Sequence, residues 1–101
     1  MNLADIDIIE GNVDADTATY YEAVQRAINS GDGWTLQGSY GRTMMAAIEA
    51  GFCLLGRLAA KDAYGNPIPA RDDVEPGSKG SVGYVAARQG ETWALRMEEV
   101  N

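Results

Sequence analysis

The sequence predicts a mostly α-helical single domain, residues 1–101: a small bundle of three or four helices with a short extended N-terminal segment and a proline-rich surface loop. Three observations carry that expectation. Apolar residues recur at three- and four-residue steps in three separate stretches, the period of a helix with one buried face. Gly, Asn, Ser and Asp fall between those stretches, where caps and turns need them. All three prolines lie between Tyr64 and Gly80, which excludes an ordinary helix interior there. The 46% hydrophobic content is that of a globular chain and argues against disorder throughout.

The central element is Gly38 to Gly56, GSYGRTMMAAIEAGFCLLG, read as one helix. Tyr40, Met44, Ala47, Ile48, Gly51, Phe52 and Leu55 share a face. Arg42, Ala46, Glu49 and Cys53 fall on another. Ala46, Ala47, Ala50 and Gly51 are small enough for a neighbouring helix to approach closely. Ser39 is the expected N-cap and Gly56 the expected left-handed stop.

The other elements follow in order. In Leu3 to Ile9 the alternation of Ile6 and Ile8 with Asp5 and Asp7 suggests a short extended segment; Leu3, Ile6 and Ile9 also fit a short helix. Gly11 to Asp16 is a turn. A helix then starts at Asp14, at Asp16, or at a capping box Thr19-Tyr20-Tyr21-Glu22. Its stripe is Tyr20, Tyr21, Val24, Ala27 and Ile28, and Asn29-Ser30-Gly31 ends it. Gly31-Asp32-Gly33 is a hinge, with Trp34 and Leu36 packing under the central helix. Arg57 to Ala63 is expected to continue helically past a kink, with Leu54, Leu58 and Ala59 inward. Tyr64 to Gly80 is the proline loop. Ser81 caps a last helical region carrying Val82, Val85, Ala86, Gln89, Trp93, Met97 and Val100. Gly90 either kinks it or divides it in two.

Chemistry is mostly excluded by what the chain lacks. It has no histidine, so Ser-His-Asp and Cys-His pairs and His-ligated zinc are absent. Cys53 is the one cysteine; it forms no internal disulfide and reads as a small packed residue, which suits a reducing compartment. Asn12, Asp14 and Asp16 are spaced like calcium-loop ligands, but Thr17 and Ala23 stand where Gly and the bidentate Glu belong. Asp72-Asp73 and Glu98-Glu99 sit in no apolar setting that would split their pKa values. No catalytic residue, metal or cofactor is expected, and no enzymatic activity. The net charge of −7 argues against direct nucleic-acid binding and against an anionic membrane surface. No apolar run approaches the ~20 residues of a membrane span, and the acidic N-terminus does not read as a leader.

Two sets of binding residues remain. Asp5, Asp7, Glu10, Asp14, Asp16 and Glu22 all precede Arg26, the first basic residue. This is a solvated acidic face, or a surface that meets a basic partner. Asp5, Asp7, Asp14 and Asp16 are therefore candidate protein-binding residues, together with Tyr64, the aromatic beside the proline loop. The second set lies on two Gly/Ser-rich turns: Ser39 and Arg42 at the start of the central helix, Ser78 and Lys79 before the last. Helix N-termini attract anions, so these four are candidates for a phosphorylated ligand. Neither turn is a P-loop, and caps and turns account for both.

The stretches GSYGRTMMAAIEAGFCLLG and YGNPIPARDDVEPGSKGSVGYV together resemble small uncharacterised proteins encoded by tailed bacteriophages of actinobacteria. The resemblance covers Gly38 to Val85, about half the chain, and brings no catalytic or binding residues. It implies a phage origin and a cytoplasmic location in the bacterial host. By analogy with small phage proteins that bind host components, the leading expectation is a non-enzymatic accessory protein that binds a host or defence protein. The alternative is a nucleotide-like ligand held between the two Gly/Ser turns. A virion component is a third reading. The small-residue helix faces also suit a homo-oligomer.

Overall fold

The N-terminal segment is a helix, not an extended strand. In the computed structural model, which describes residues 1–36 and 38–101, α1 (Leu3–Ile9) begins where the Asn2 side chain accepts a bond from the Asp5 N–H at 2.8 Å. A lone strand had no partner edge. The helix instead packs on α2 (Thr17–Ser30). It also buries Asp5 against Arg26, whose Nε and Nη2 donate to the carboxylate at distances from 2.8 to 3.1 Å.

α2 takes the earlier start. Asp16 accepts the Thr19 N–H at 2.8 Å, which places Thr19 inside the helix rather than at its cap. Its inner face is Ala23, Val24, Gln25, Ala27 and Ile28, and Gly31 ends it in the left-handed conformation. A 3-10 turn, Asp32–Thr35, then buries Trp34.

The central helix is shorter than its periodicity suggests. α3 runs Gly38–Glu49 and stops at Gly51, whose φ is 80°. The Phe52 N–H donates to Ala47 O at 3.0 Å and the Gly51 N–H to Ile48 O at 3.1 Å. That pair of bonds is a Schellman ending. Gly51 is therefore a stop rather than part of the helix face, although it does meet a neighbour closely, a Cβ there coming within 2.4 Å of Arg88. Phe52 lies off the helix, stacked on Tyr21 at 4.3 Å. Ser39 sits within the first turn of α3 rather than capping it.

From Phe52 to Gly56 the chain passes through the core in neither helix nor strand, with Cys53, Leu54 and Leu55 buried. Buried backbone needs partners, and distant residues provide them. Gln25 brackets Leu54: its Oε1 accepts the Leu54 N–H at 2.7 Å and its Nε2 donates to Leu54 O at 3.0 Å. Leu55 N–H donates to Gly80 O at 3.1 Å, and Leu55 O accepts from Arg71 Nε at 2.8 Å. Trp93 Nε1 donates to Phe52 O at 2.9 Å.

The expected helix at Arg57 to Ala63 is instead half of a hairpin. β1 (Ala60–Lys61) pairs antiparallel with β2 (Pro67–Ile68), Ala60 opposite Ile68 and Lys61 opposite Pro67. Leu58, expected inward, is 81% exposed. The proline segment is thus partly ordered by its own bonds: after the hairpin comes a 3-10 turn, Arg71–Asp73. Two-residue strands are too short to show a period, and a proline on an edge strand leaves no ladder bond unmade.

Ser81 caps α4 (Val82–Gln89), accepting the Tyr84 N–H at 3.2 Å, and Gly90 separates it from α5 (Glu91–Glu98). The described residues thus form five α-helices rather than three or four. One core joins them, with Val24, Ile28, Trp34, Met44, Leu54, Val85 and Met97 at its centre. Among the described residues no helix is long and apolar enough to cross a membrane.

Candidate functional site

A cleft of about 420 Å³ opens between the first turns of α3 and the β1–β2 hairpin. That volume is in the range of small-ligand and side-chain pockets, roughly 300–1,000 Å³. Trp34, Leu36, Met45 and Ile68 supply its apolar lining; Arg42, Asp62 and Tyr64 supply its polar groups. The 3-10 turn fixes Trp34, which is buried, and leaves Leu36 exposed beside it.

Two glycines keep the cleft open on the α3 side. Gly41 is inside the helix, and a Cβ added there would meet nothing within 4 Å. Packing does not require it, although a helical glycine costs about 0.5–1 kcal/mol relative to alanine. Its effect is space in the cleft wall. Gly38 accommodates Arg42: a Cβ there would stand 3.2 Å from Arg42 Nη1. The guanidinium therefore lies back along its own helix, and Arg42 makes no ion pair among the described residues.

The hairpin side is built by Asp62. Its Oδ1 accepts the Tyr64 and Asn66 N–H groups at 2.9 Å each, and its Oδ2 accepts Asn66 Nδ2 at 3.1 Å. The Asn66 backbone bond leads in holding this carboxyl below its usual range, so it is charged, but its oxygens are committed to the turn. The turn lifts Tyr64 to 91% exposure at the rim.

The structure thus brings Arg42 and Tyr64, assigned to different functions in the sequence, to one cleft. It does not bring the two Gly/Ser turns together there. Ser39 lines a separate recess with Ile9, Glu10 and Tyr40. The Ser78 hydroxyl donates to Glu75 O at 2.6 Å within its own turn, and Lys79 is exposed. Of the acidic candidates, Asp5 is turned inward and paired with Arg26. Asp7, Asp14 and Asp16 are exposed on and between α1 and α2, with Asp16 also serving as a cap. Sequence reasoning placed Trp34 and Leu36 under the central helix, where Trp34 is buried and Leu36 is exposed, and missed Met45 and Ile68 as cleft residues. The available signal was Gly41, a glycine inside a helical stretch that no turn explains.

Other reactive groups are committed to structure. The Cys53 Sγ lies 3.5 Å from Tyr21 O, and burial pushes its thiol up. Asp73 accepts the Ala70 N–H at 3.3 Å. Among the described residues no group of three or more His, Cys, Asp or Glu is placed to hold a metal ion. No protein-family model matches this chain, and neither a curated protein nor a solved structure matches it.

Proposed function

We propose that this chain is a non-enzymatic protein-binding module whose partner docks an apolar side chain in the cleft between α3 and the hairpin. One observation carries the reading: an apolar cleft with Tyr64 raised at its rim, 91% exposed. A folded chain gains nothing in stability from a tyrosine held in water. At an interface the same ring gives a large rigid contact and a hydroxyl for hydrogen bonding. The resemblance to phage proteins makes the partner a host or defence protein. Asp7, Asp14 and Asp16 form an acidic approach surface that speeds association with a basic partner and loses its effect as salt rises.

The test is capture from a lysate of the bacterial host, comparing the tagged chain with Tyr64→Ala. The substitution is expected to leave Tm unchanged, because exposed positions contribute within about 0.5 kcal/mol. It is expected to weaken capture by roughly thirtyfold, the cost of about 2 kcal/mol at an interface hot spot. Undiminished capture would remove the cleft from the interface. The alternative, one nucleotide-like ligand between the two Gly/Ser turns, predicts a thermal shift with nucleotide that is lost in the Arg42→Ala, Lys79→Ala double variant.

A further inference from the structure

Two charged side chains line the cleft, Arg42 and Asp62, and of the two Arg42 is the one that makes no hydrogen bond or ion pair among the described residues. Its apolar lining is Trp34, Leu36, Met45 and Ile68. All three bonds of Asp62 hold the hairpin turn. Gly38 gives the Arg42 guanidinium room, since a Cβ there would stand 3.2 Å from Nη1, and Gly41 leaves open space in the cleft wall. Complementarity therefore asks for an apolar body with a carboxylate attached. A guanidinium is well matched to that group, since its planar donors bond both carboxylate oxygens at once. The volume, about 420 Å³, has room for one large side chain.

From this we infer that the cleft recognises the C-terminal residue of its partner: a large apolar or aromatic side chain against Trp34 and Met45, with the α-carboxylate on Arg42. An occupant that ends in the cleft carries both groups on one residue. Terminal carboxylate capture is an established mode of peptide recognition. This inference rests on the docking function proposed above and specifies its ligand.

The test uses two small probes on the ¹⁵N-labelled full chain. N-acetyl-tryptophan presents the free carboxylate of a chain end, and N-acetyl-tryptophanamide presents an internal residue. Saturable shifts are expected at the amides of Gly41, Met45, Ala63 and Ile68. The acid should bind at least about tenfold more tightly than the amide, as a charge-assisted bond implies. Arg42→Gln should reduce the acid to the level of the amide, whereas Lys61→Gln, on the same hairpin but outside the cleft, should leave the preference intact. Equal affinities would overturn the inference. So would an acid preference that survives Arg42→Gln, shifts confined to another surface, or no saturable shift with either probe. If Tyr64→Ala abolishes partner capture and Arg42→Gln does not affect it, docking in the cleft stands and carboxylate recognition falls.

Discussion

Tyr40 shows what one side chain contributes and how that contribution depends on pH. It is buried on α3, and its hydroxyl donates to Glu10 at the end of α1. That bond, followed by burial and the charge of Glu10, pushes the phenol up from 10.0 to about 12. The native state therefore holds this proton more tightly than the unfolded chain does. The resulting stability is complete below pH 10 and is lost as the pH rises towards 12. Tyr40→Phe keeps the ring and removes the titration. Denaturant melts across this range should show the wild type losing more stability than the variant; parallel losses would mean that the bond does not couple α1 to α3. The sequence placed Tyr40 correctly on the inner face, but its partner lies 30 positions earlier, and no local pattern shows that.

At the scale of elements, cap signals were mixed and periodicity was the least safe. Ser39 lies inside α3, and Gly56, expected as a left-handed stop, is not left-handed. Gly31, Ser81 and Gly90 mark real boundaries, and the division of the last region into α4 and α5 was among the readings open from the sequence. The central stretch misled because Phe52 and Leu55 continue the helical step after the helix has ended. The Schellman bonds at Gly51 decide the matter, and a hydrophobic pattern cannot register them. Two glycines of this region therefore predict opposite effects. Gly51→Ala forces a side chain into the left-handed conformation, at a cost of about 1–2 kcal/mol. Its Cβ would also come 2.4 Å from Arg88 Cδ, so Arg88 must move. Gly41→Ala meets open space, and a gain of about 0.5–1 kcal/mol is expected from helix propensity. Equilibrium unfolding of the two variants tests both signs. A destabilised Gly41→Ala would mean that the glycine is structural and would remove its argument for the cleft. The hairpin stayed hidden, and α1 was legible only as the second of two readings, for a different reason. Seven residues around one Asn cap, and strands of two residues each, are stabilised by contacts far along the chain, such as Asp5 with Arg26.

On the scale of the molecule, the fold turns on satisfying an irregular backbone segment in its own core. Asn29 joins the parts: its Oδ1 accepts from Gln25 Nε2 at 3.0 Å and from Arg71 Nη2 at 3.1 Å, and its Nδ2 donates to Val100 O at 2.9 Å. Through these bonds α2, the Phe52–Gly56 crossing, the second 3-10 turn and the chain's last residues share one network. In the sequence Asn29 reads only as part of the helix end, and nothing local marks Gln25. Their role exists only once residues 29 and more apart are brought together. Arg71 takes part while deeply buried. Burial first, and then the nearby Arg57, draws its guanidinium below the ordinary arginine value, and carbonyl and amide oxygens receive its bonds. Gln25→Leu conserves most of the volume but leaves the Leu54 N–H and C=O without partners. Each unpaired buried group costs about 1–3 kcal/mol, so a loss of roughly 2–6 kcal/mol is expected in a denaturant melt. Asn29→Ala alone should also destabilise, by freeing Arg71 and Val100. Because Gln25 and Asn29 share a bond, the double variant should lose less than the sum of the single variants. Strict additivity would mean that the two residues act separately. An unchanged midpoint for Gln25→Leu would mean that the crossing segment finds other partners, and the central element of this fold would need a different physical account.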